Sequence, residues 1–379
     1  MNKQVAIWIR VVFVASALVL RAGGFSGIAE DYARVTGPCQ LRLPEDHGDH
    51  PRHRTEWWYY TGNVTAPDGR RFGYQFTIFR IRLAPPEKEA SWPDPSSEWR
   101  TSQLFIGHAA VSDVNRKRHL QDQIMARGAL GLAGVATAET GVTVFLKRWQ
   151  AVIGHDRHRI RADSDIFSLD LNLEPVKAPV FHGEAGYSRK GSSPEQASCY
   201  YSLTRLRTDG VINVQGTPYT VEGLSWMDHE YSTAPLEPGI TGWDWFSLQL
   251  SDNTELMFFI LRREQGGAHP ASSGTFVDPS GTAHHIAVEA MSAEIKDTWQ
   301  SPGTQAVYPV AWNLDIPTKQ LRLRVSANLE DQEMRTSQTS GVDYWEGSVS
   351  VTGTAGGRPV VGAGYVELTG YGKAFDAPM

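Results

Sequence analysis

Cysteine is almost absent: Cys39 and Cys199 are the only two in 379 residues. That excludes a disulfide-dense scaffold and a cysteine-based metal module. In an oxidising compartment the pair could close one very long loop, but Cys199 opens the strand-like run Cys199-Tyr200-Tyr201-Ser202-Leu203-Thr204, where a half-buried free thiol is an equal reading. No block of like charge is present either. The 36 Lys and Arg against 42 Asp and Glu leave a formal charge of −6, so nucleic acid is not an expected partner. Sustained helical periodicity is missing, which removes helical bundles and most α/β architectures. Two hydrolase signatures are missing as well, the Gly-x-Ser-x-Gly elbow and the His-Glu-x-x-His zinc helix.

Aromatic residues are plentiful: 12 Trp, 13 Tyr and 14 Phe, enough to line a cavity as well as fill a core. The length suits two domains. At the N-terminus Lys3 and Arg10 flank an apolar run, Val11 to Leu20, followed by Ala22, Gly23 and Gly24. That run is too short to span a bilayer, and it reads as a signal peptide over residues 1–29, with cleavage after Gly24 or Ala29 and a periplasmic or secreted product. After residue 50 the dominant signal is strand. Tyr59 to Val64, the turn Ala66-Pro67-Asp68-Gly69-Arg70 and Phe72 to Ile81 form a hairpin signature, and comparable runs recur to Val360–Leu368. The class is all-β.

A weak internal repeat organises these strands. Asp46-His47 precedes Glu56-Trp57-Trp58-Tyr59, a turn and Phe76-Thr77-Ile78-Phe79-Arg80; Asp228-His229 precedes Trp243-Asp244-Trp245-Phe246, a turn and Phe258-Phe259-Ile260-Leu261-Arg262. The succession predicts duplicated antiparallel β-barrels, an N-terminal one over residues 30–215 and a C-terminal one over 216–379.

Several motifs stand in a fixed order: Thr55-Glu56-Trp57-Trp58-Tyr59-Tyr60-Thr61-Gly62, Gly73 to Arg80, Gly107-His108-Ala109-Ala110-Val111-Ser112-Asp113, Ala197 to Leu206, Trp226-Met227-Asp228-His229-Glu230-Tyr231 and Gly242 to Leu250. With them the chain resembles the AttH-type, lipocalin-like family once labelled predicted secreted hydrolases. The resemblance implies two calycin-type barrels and relatives that include carotenoid 1,2-hydratases and hydratases of prenylated plant phenolics. It does not settle the reaction, because one fold carries many chemistries.

Hydrating a prenyl alkene needs a proton donated to carbon, a short-lived carbocation and a delivered water. A carboxylic acid kept neutral by burial can supply the proton, and aromatic faces stabilise a cation by about 2 kcal/mol per desolvated contact. The expected acid is Asp244 or Glu56, with His229 managing water and Asp228 beside it. In the alternative reading Asp228 and His229 are a structural pair, the carboxylate setting the imidazole tautomer. Trp243, Trp245, Trp58, Trp57, Tyr231 and Trp226 are expected to shape the ligand surface. Arg80, Arg205 and Arg262 are expected in ion pairs, and His108 and His182 as buried, hydrogen-bonded residues. His47-x-x-His50-x-x-His53 sits on a loop without a regular face, so no metal is expected, and the chemistry requires no cofactor. The expected partner is an apolar small molecule, with access from a membrane surface left open; a non-catalytic carrier using the barrel mouth, or a hydrolase or cyclase, remains an alternative.

Overall fold

The computed structural model describes residues 32–94 and 97–374; the expected signal segment 1–29 lies outside the described residues. The first sheet opens with β1 (Thr55–Thr65), β2 (Arg71–Arg82), β3 (Gln103–Asp113), β4 (Arg118–Arg127), β5 (Ala133–Ala138) and β6 (Gly141–Leu146). It continues with β7 (Trp149–Ile153), β8 (His158–Asp163), β9 (Phe167–Pro175), the short β10 (Val180–Phe181) and β11 (Tyr187–Arg189), then β12 (Ala197–Val214) and β13 (Thr217–Ser232). The second sheet holds β14 (Ile240–Leu250), β15 (Glu255–Arg263), β16 (Ser273–Val277), β17 (Ala283–Ala287) and β18 (Ser292–Gln300). β19 (Val307–Ile316), β20 (Leu321–Ala327), β21 (Glu333–Arg335), β22 (Asp343–Ala355) and β23 (Arg358–Leu368) complete it.

Each sheet is a meander whose last long strand returns to pair antiparallel with its first, β13 with β1 and β23 with β14. The first sheet forms a nearly closed barrel and the second a half-barrel. The expected all-β pair of barrels is therefore present. The dividing point differs: Thr217–Ser232, assigned from sequence to the second domain, hydrogen-bonds to β1 and β12 of the first sheet, and the second sheet starts only at Ile240. The strand closing a barrel reads like any other strand, and only its partners reveal which barrel it closes.

The hairpins β1–β2 and β14–β15 occupy equivalent places in the two sheets. In the first turn Gly69 takes a left-handed φ of 84°, Asp68 accepts the Arg70 N–H at 3.0 Å, and Ala66 N–H bonds the Arg70 carbonyl at 2.8 Å. The Asp-His pairs are not equivalent, however. Asp46-His47 lies in a 3₁₀ turn (Glu45–His47) before β1, whereas Asp228-His229 lies within β13.

Period-two alternation sorts the strand residues. Trp58, Tyr60 and Val64 of β1 enter the first barrel with Phe72, Tyr74, Phe76 and Ile78 of β2. Phe246, Leu248, Trp312 and Trp345 fill the second. At roughly 1.5–3 kcal/mol for each fully buried large apolar side chain, these two cores supply the drive for closure. Both interiors are thus occupied by the protein's own side chains, so the ligand space expected inside a barrel has to lie elsewhere.

The barrels pack through their outer faces. Tyr59, Tyr200 and Trp226 of the first share an apolar cluster with Trp245, Met257, Phe259 and Tyr365 of the second. Polar contacts surround it: Asn63 Nδ2 donates to the Gly364 carbonyl at 2.9 Å, and Gln249 Nε2 donates to the carbonyls of Thr204 and Ser225 at 2.8 and 2.9 Å. His108 bridges to Tyr344 and Thr339 at 2.8 and 2.9 Å, while His182 reaches Thr275 and Ser202 at 2.9 and 2.6 Å. Both histidines are buried and hydrogen-bonded, as expected, and each ties one barrel to the other. Cys39 and Cys199 form a disulfide spanning 160 residues, which resolves the reading left open by the sequence.

Gly73 of β2 tests this packing. A Cβ there would sit 2.4 Å from the Ser348 Cβ of β22, a backbone-anchored atom that cannot swing aside. Gly73→Val should cost about 1–3 kcal/mol, read as a lower midpoint in urea denaturation; an unchanged midpoint would show that the faces are not in contact there.

Candidate active site

Asp228 and His229 are neighbours on β13 and so point to opposite faces of the sheet. His229, opposite Trp58 of β1, enters the first barrel; Asp228, opposite Tyr59, faces the second domain. They form no Asp–His pair, and each belongs to a different constellation.

The interior constellation centres on Glu56. Its carboxylate accepts from Arg80 Nε at 2.9 Å, from His229 Nε2 at 2.8 Å and from His50 Nδ1 at 2.7 Å, and none of it is exposed. Burial alone would raise its pKa, but the hydrogen bonds from His229 and His50 and the Arg80 charge outweigh burial and hold it well below the usual carboxylate range. Burial would likewise keep His50 neutral, yet its bonds to Asp46 and Glu56 lift it to about 9. His229 Nδ1 meets the Tyr201 hydroxyl at 3.0 Å, and that hydroxyl meets His47 Nδ1 at 2.6 Å. Donor atoms of His50, Glu56 and His229 all lie within 4.8 Å of one another, a set that could hold a cation. The second barrel carries a simpler counterpart, Asp244 paired with Arg262 at 2.9 Å and with the Tyr371 hydroxyl at 3.1 Å.

The outward constellation lines a cavity of about 370 Å³ between the barrels, within the usual size range for small-molecule sites. Its walls are mostly apolar and rich in aromatics, with Trp57, Tyr59 and Tyr200 from the first domain and Trp243, Trp245 and Phe259 from the second. Into it face carboxyls with few cations. Asp228 accepts from Trp226 Nε1 at 2.6 Å and Tyr200 at 2.8 Å, and also from Ser202. Burial, opposed by those three donors, pushes it up to about 7. Glu346 and Glu367 stand directly opposite each other on β22 and β23. Burial raises both, and Glu367 reaches about 8 despite a hydrogen bond from Trp243. Burial, reinforced by the charge of Glu367, holds Glu346 well above its ordinary value, while Tyr59 donates to it at 3.0 Å. Two carboxyls so placed in an apolar wall cannot both ionise readily, so the pair keeps a proton. Lys190 lies 3.9 Å over the Phe259 ring and 3.2 Å from Glu230, which leaves that fourth carboxyl compensated.

A family model described as AttH-like matches residues 34–371. The chain belongs to the AttH-like family. An AttH-type protein of Nitrosomonas europaea, solved at 2.00 Å, is 36% identical, with a TM-score of 0.77 over 89% of this chain and 99% of that one. Among similar proteins, the dehydratase asqC of Emericella nidulans is 22% identical over 55% of this chain, and kievitone hydratase of Fusarium solani subsp. phaseoli is 25% identical over 56%. Those two matches span 60% and 59% of the relatives' own lengths. The structure of kievitone hydratase from Nectria haematococca shares the fold over 90% of this chain and 96% of its own, with a TM-score of 0.66 at 16% identity.

Against this family frame the expected site residues divide. Asp228, Trp57, Trp243 and Trp245 reach the cavity, and Trp226 backs it by holding Asp228. Asp244 does not: it shares a face with Phe246, which enters the second barrel, and pairs with Arg262, although burial raises its proton affinity as expected. Glu56 borders the cavity but is ionised and triply bound rather than a neutral acid. His229 and Trp58 lie inside the first barrel, and Tyr231 stacks on His50 at 3.7 Å. Arg80, Arg205 and Arg262 pair with Glu56, Glu255 and Asp244 as expected. Glu346 and Glu367 are not among the residues expected from the sequence. A signal existed, since each is a lone acid inside an apolar strand run, Tyr344-Trp345-Glu346 and Tyr365-Val366-Glu367-Leu368, but their opposition depends on a pairing that the sequence does not state.

The interior network should behave as structure. Glu56→Gln leaves Arg80 buried without its counter-charge, a loss of about 3–5 kcal/mol. Urea denaturation at neutral pH measures it, and a change under 1 kcal/mol would remove the network from the fold's foundations.

Proposed function

We propose that this protein is an exported, cofactor-independent hydratase or dehydratase acting on an apolar, isoprenoid-like or prenylated small molecule in the cavity between its barrels. The observation that carries the reading is an apolar, aromatic-rich cavity between the barrels into which buried carboxyls face, Asp228 from one domain and the Glu346–Glu367 pair from the other, all with raised proton affinity. Their partners divide the roles: the facing pair shares a proton and supplies the acid, while Asp228, held by three donors that favour its ionised form, supplies the base. In the hydration direction Glu367 gives its proton to the alkene carbon, and the electron pair of the double bond forms the new C–H bond. The carbocation left behind lies against the faces of Trp57, Trp243 and Trp245. Water adds to it as the Asp228 carboxylate takes the water's proton, and exchange with solvent returns both groups to their starting states. Dehydration is the same path reversed. The hydratase and dehydratase among the relatives support this class of reaction. The carrier reading is weaker, because a carrier has no use for neutral acids inside an apolar wall.

Export is supported by the Cys39–Cys199 disulfide, a bond that persists in oxidising compartments. Mass spectrometry of secreted or periplasmic protein should find a mature N-terminus between Gly24 and Ala29.

The reaction makes a signed prediction for pH. Below about 7 Asp228 is protonated and cannot accept from water; above about 8 Glu367 has lost the proton it must give. Turnover of a soluble prenylated phenol should follow a bell with its maximum between these values. Glu367→Gln should abolish the alkaline limb and cut the rate at least 100-fold while ligand binding persists. Full turnover by both Glu367→Gln and Asp228→Asn would overturn the assignment.

A further inference from the structure

A second cluster lies within the first barrel, behind the point where Glu56 borders the cavity. We propose that His50, Glu56 and His229 form a binding site for a divalent transition metal such as Zn2+, joining the loop before β1 to the two strands that close the barrel. The inference is independent of the hydration reading, which uses none of the three residues.

The first argument is the donor set. Two imidazoles and one carboxylate with a fourth position left to water is a recurrent zinc arrangement. Both imidazole nitrogens converge on the same oxygen, Glu56 Oε1, at 2.7 and 2.8 Å, while Arg80 occupies Oε2. Donors around a tetrahedral zinc with bonds of roughly 2.0–2.1 Å sit about 3.4 Å apart, so both contacts, now 2.7 and 2.8 Å, would open by roughly 0.6–0.7 Å as the ion enters.

The second argument lies outside the donors. Metal-bound imidazoles almost always give their other N–H to a fixed acceptor, and both have one here. His50 Nε2 meets Asp46 Oδ1 at 3.1 Å, and His229 Nδ1 meets the Tyr201 hydroxyl at 3.0 Å, which can pass its own proton to His47 Nδ1 at 2.6 Å. Glu56 is oriented by Arg80 and by the His50 backbone N–H at 2.9 Å. All three donors are therefore held from behind. A route in also exists, because the His50 and Asp46 side chains keep 15% and 25% of their exposure while Glu56 and His229 keep none.

The loop histidines alone do not show this. Of His47, His50 and His53 only His50 supplies a donor, and the other two donors come from strands separated by 173 residues. The expectation of no metal rested on the loop having no regular face, and the face is provided by β1 and β13.

The test uses the mature protein stripped with a chelator and titrated with Zn2+ and with Co2+. One equivalent should bind at micromolar affinity or tighter, and X-ray absorption of the zinc-loaded wild type should show two imidazoles with the remaining donors oxygen. His50→Gln, on the half-exposed loop, should weaken binding at least 100-fold, and Asp46→Asn about 10–100-fold, with near-UV circular dichroism verifying the fold. Absence of stoichiometric uptake, an absorption spectrum without two imidazoles, or wild-type affinity in His50→Gln would each overturn the proposal.

Discussion

Everything in this molecule depends on the alternation of side chains along β1, β13, β14 and β23. Because successive residues face opposite ways, each of these strands serves a barrel core with one set of residues and the interdomain surface with the other. Trp58 and His229 go inward, Tyr59 and Asp228 outward. A slip of one residue in register would exchange the two sets and place ionised groups in the cavity. The tight hairpin at Gly69 and the antiparallel closure by β13 hold that register.

Burial acts on all the central carboxyls alike, and their partners decide the outcome. Glu56 is fully enclosed yet ionised, because a guanidinium and two imidazoles surround it. Asp228, Glu346 and Glu367 are enclosed by tryptophan, tyrosine and one another, so burial prevails and their proton affinity rises. The same strands thus carry structural charge on one face and proton-holding chemistry on the other. Separating the two faces lets a well-packed barrel border a cavity lined with proton-holding carboxyls without placing those groups in its own core.

Duplication explains the position of the cavity. Each barrel pairs a carboxylate with an arginine across its first hairpin, Glu56 with the Arg80 directly opposite and Asp244 with Arg262 two positions further along the facing strand. With both interiors filled, the surface left for a ligand is the seam where the outer faces meet, and neither domain alone has a complete wall. Polar bridges such as His108 to Tyr344 and His182 to Thr275 hold the seam in one arrangement.

The strand class, the duplicated hairpins, the aromatic surplus and the ion-paired arginines were all legible in the chain, because alternation and turn chemistry are local and each leaves its mark within a few residues. Which barrel β13 closes was not legible, nor whether Asp244 would face a ligand or a core. Both depend on pairings between segments far apart in sequence. The same holds for the opposition of Glu346 to Glu367 and for the convergence of His50, Glu56 and His229. A carboxylic acid reads identically in a list of residues whether it will stand beside an arginine or another acid, and its proton affinity is set by that neighbour, which only the folded sheets supply.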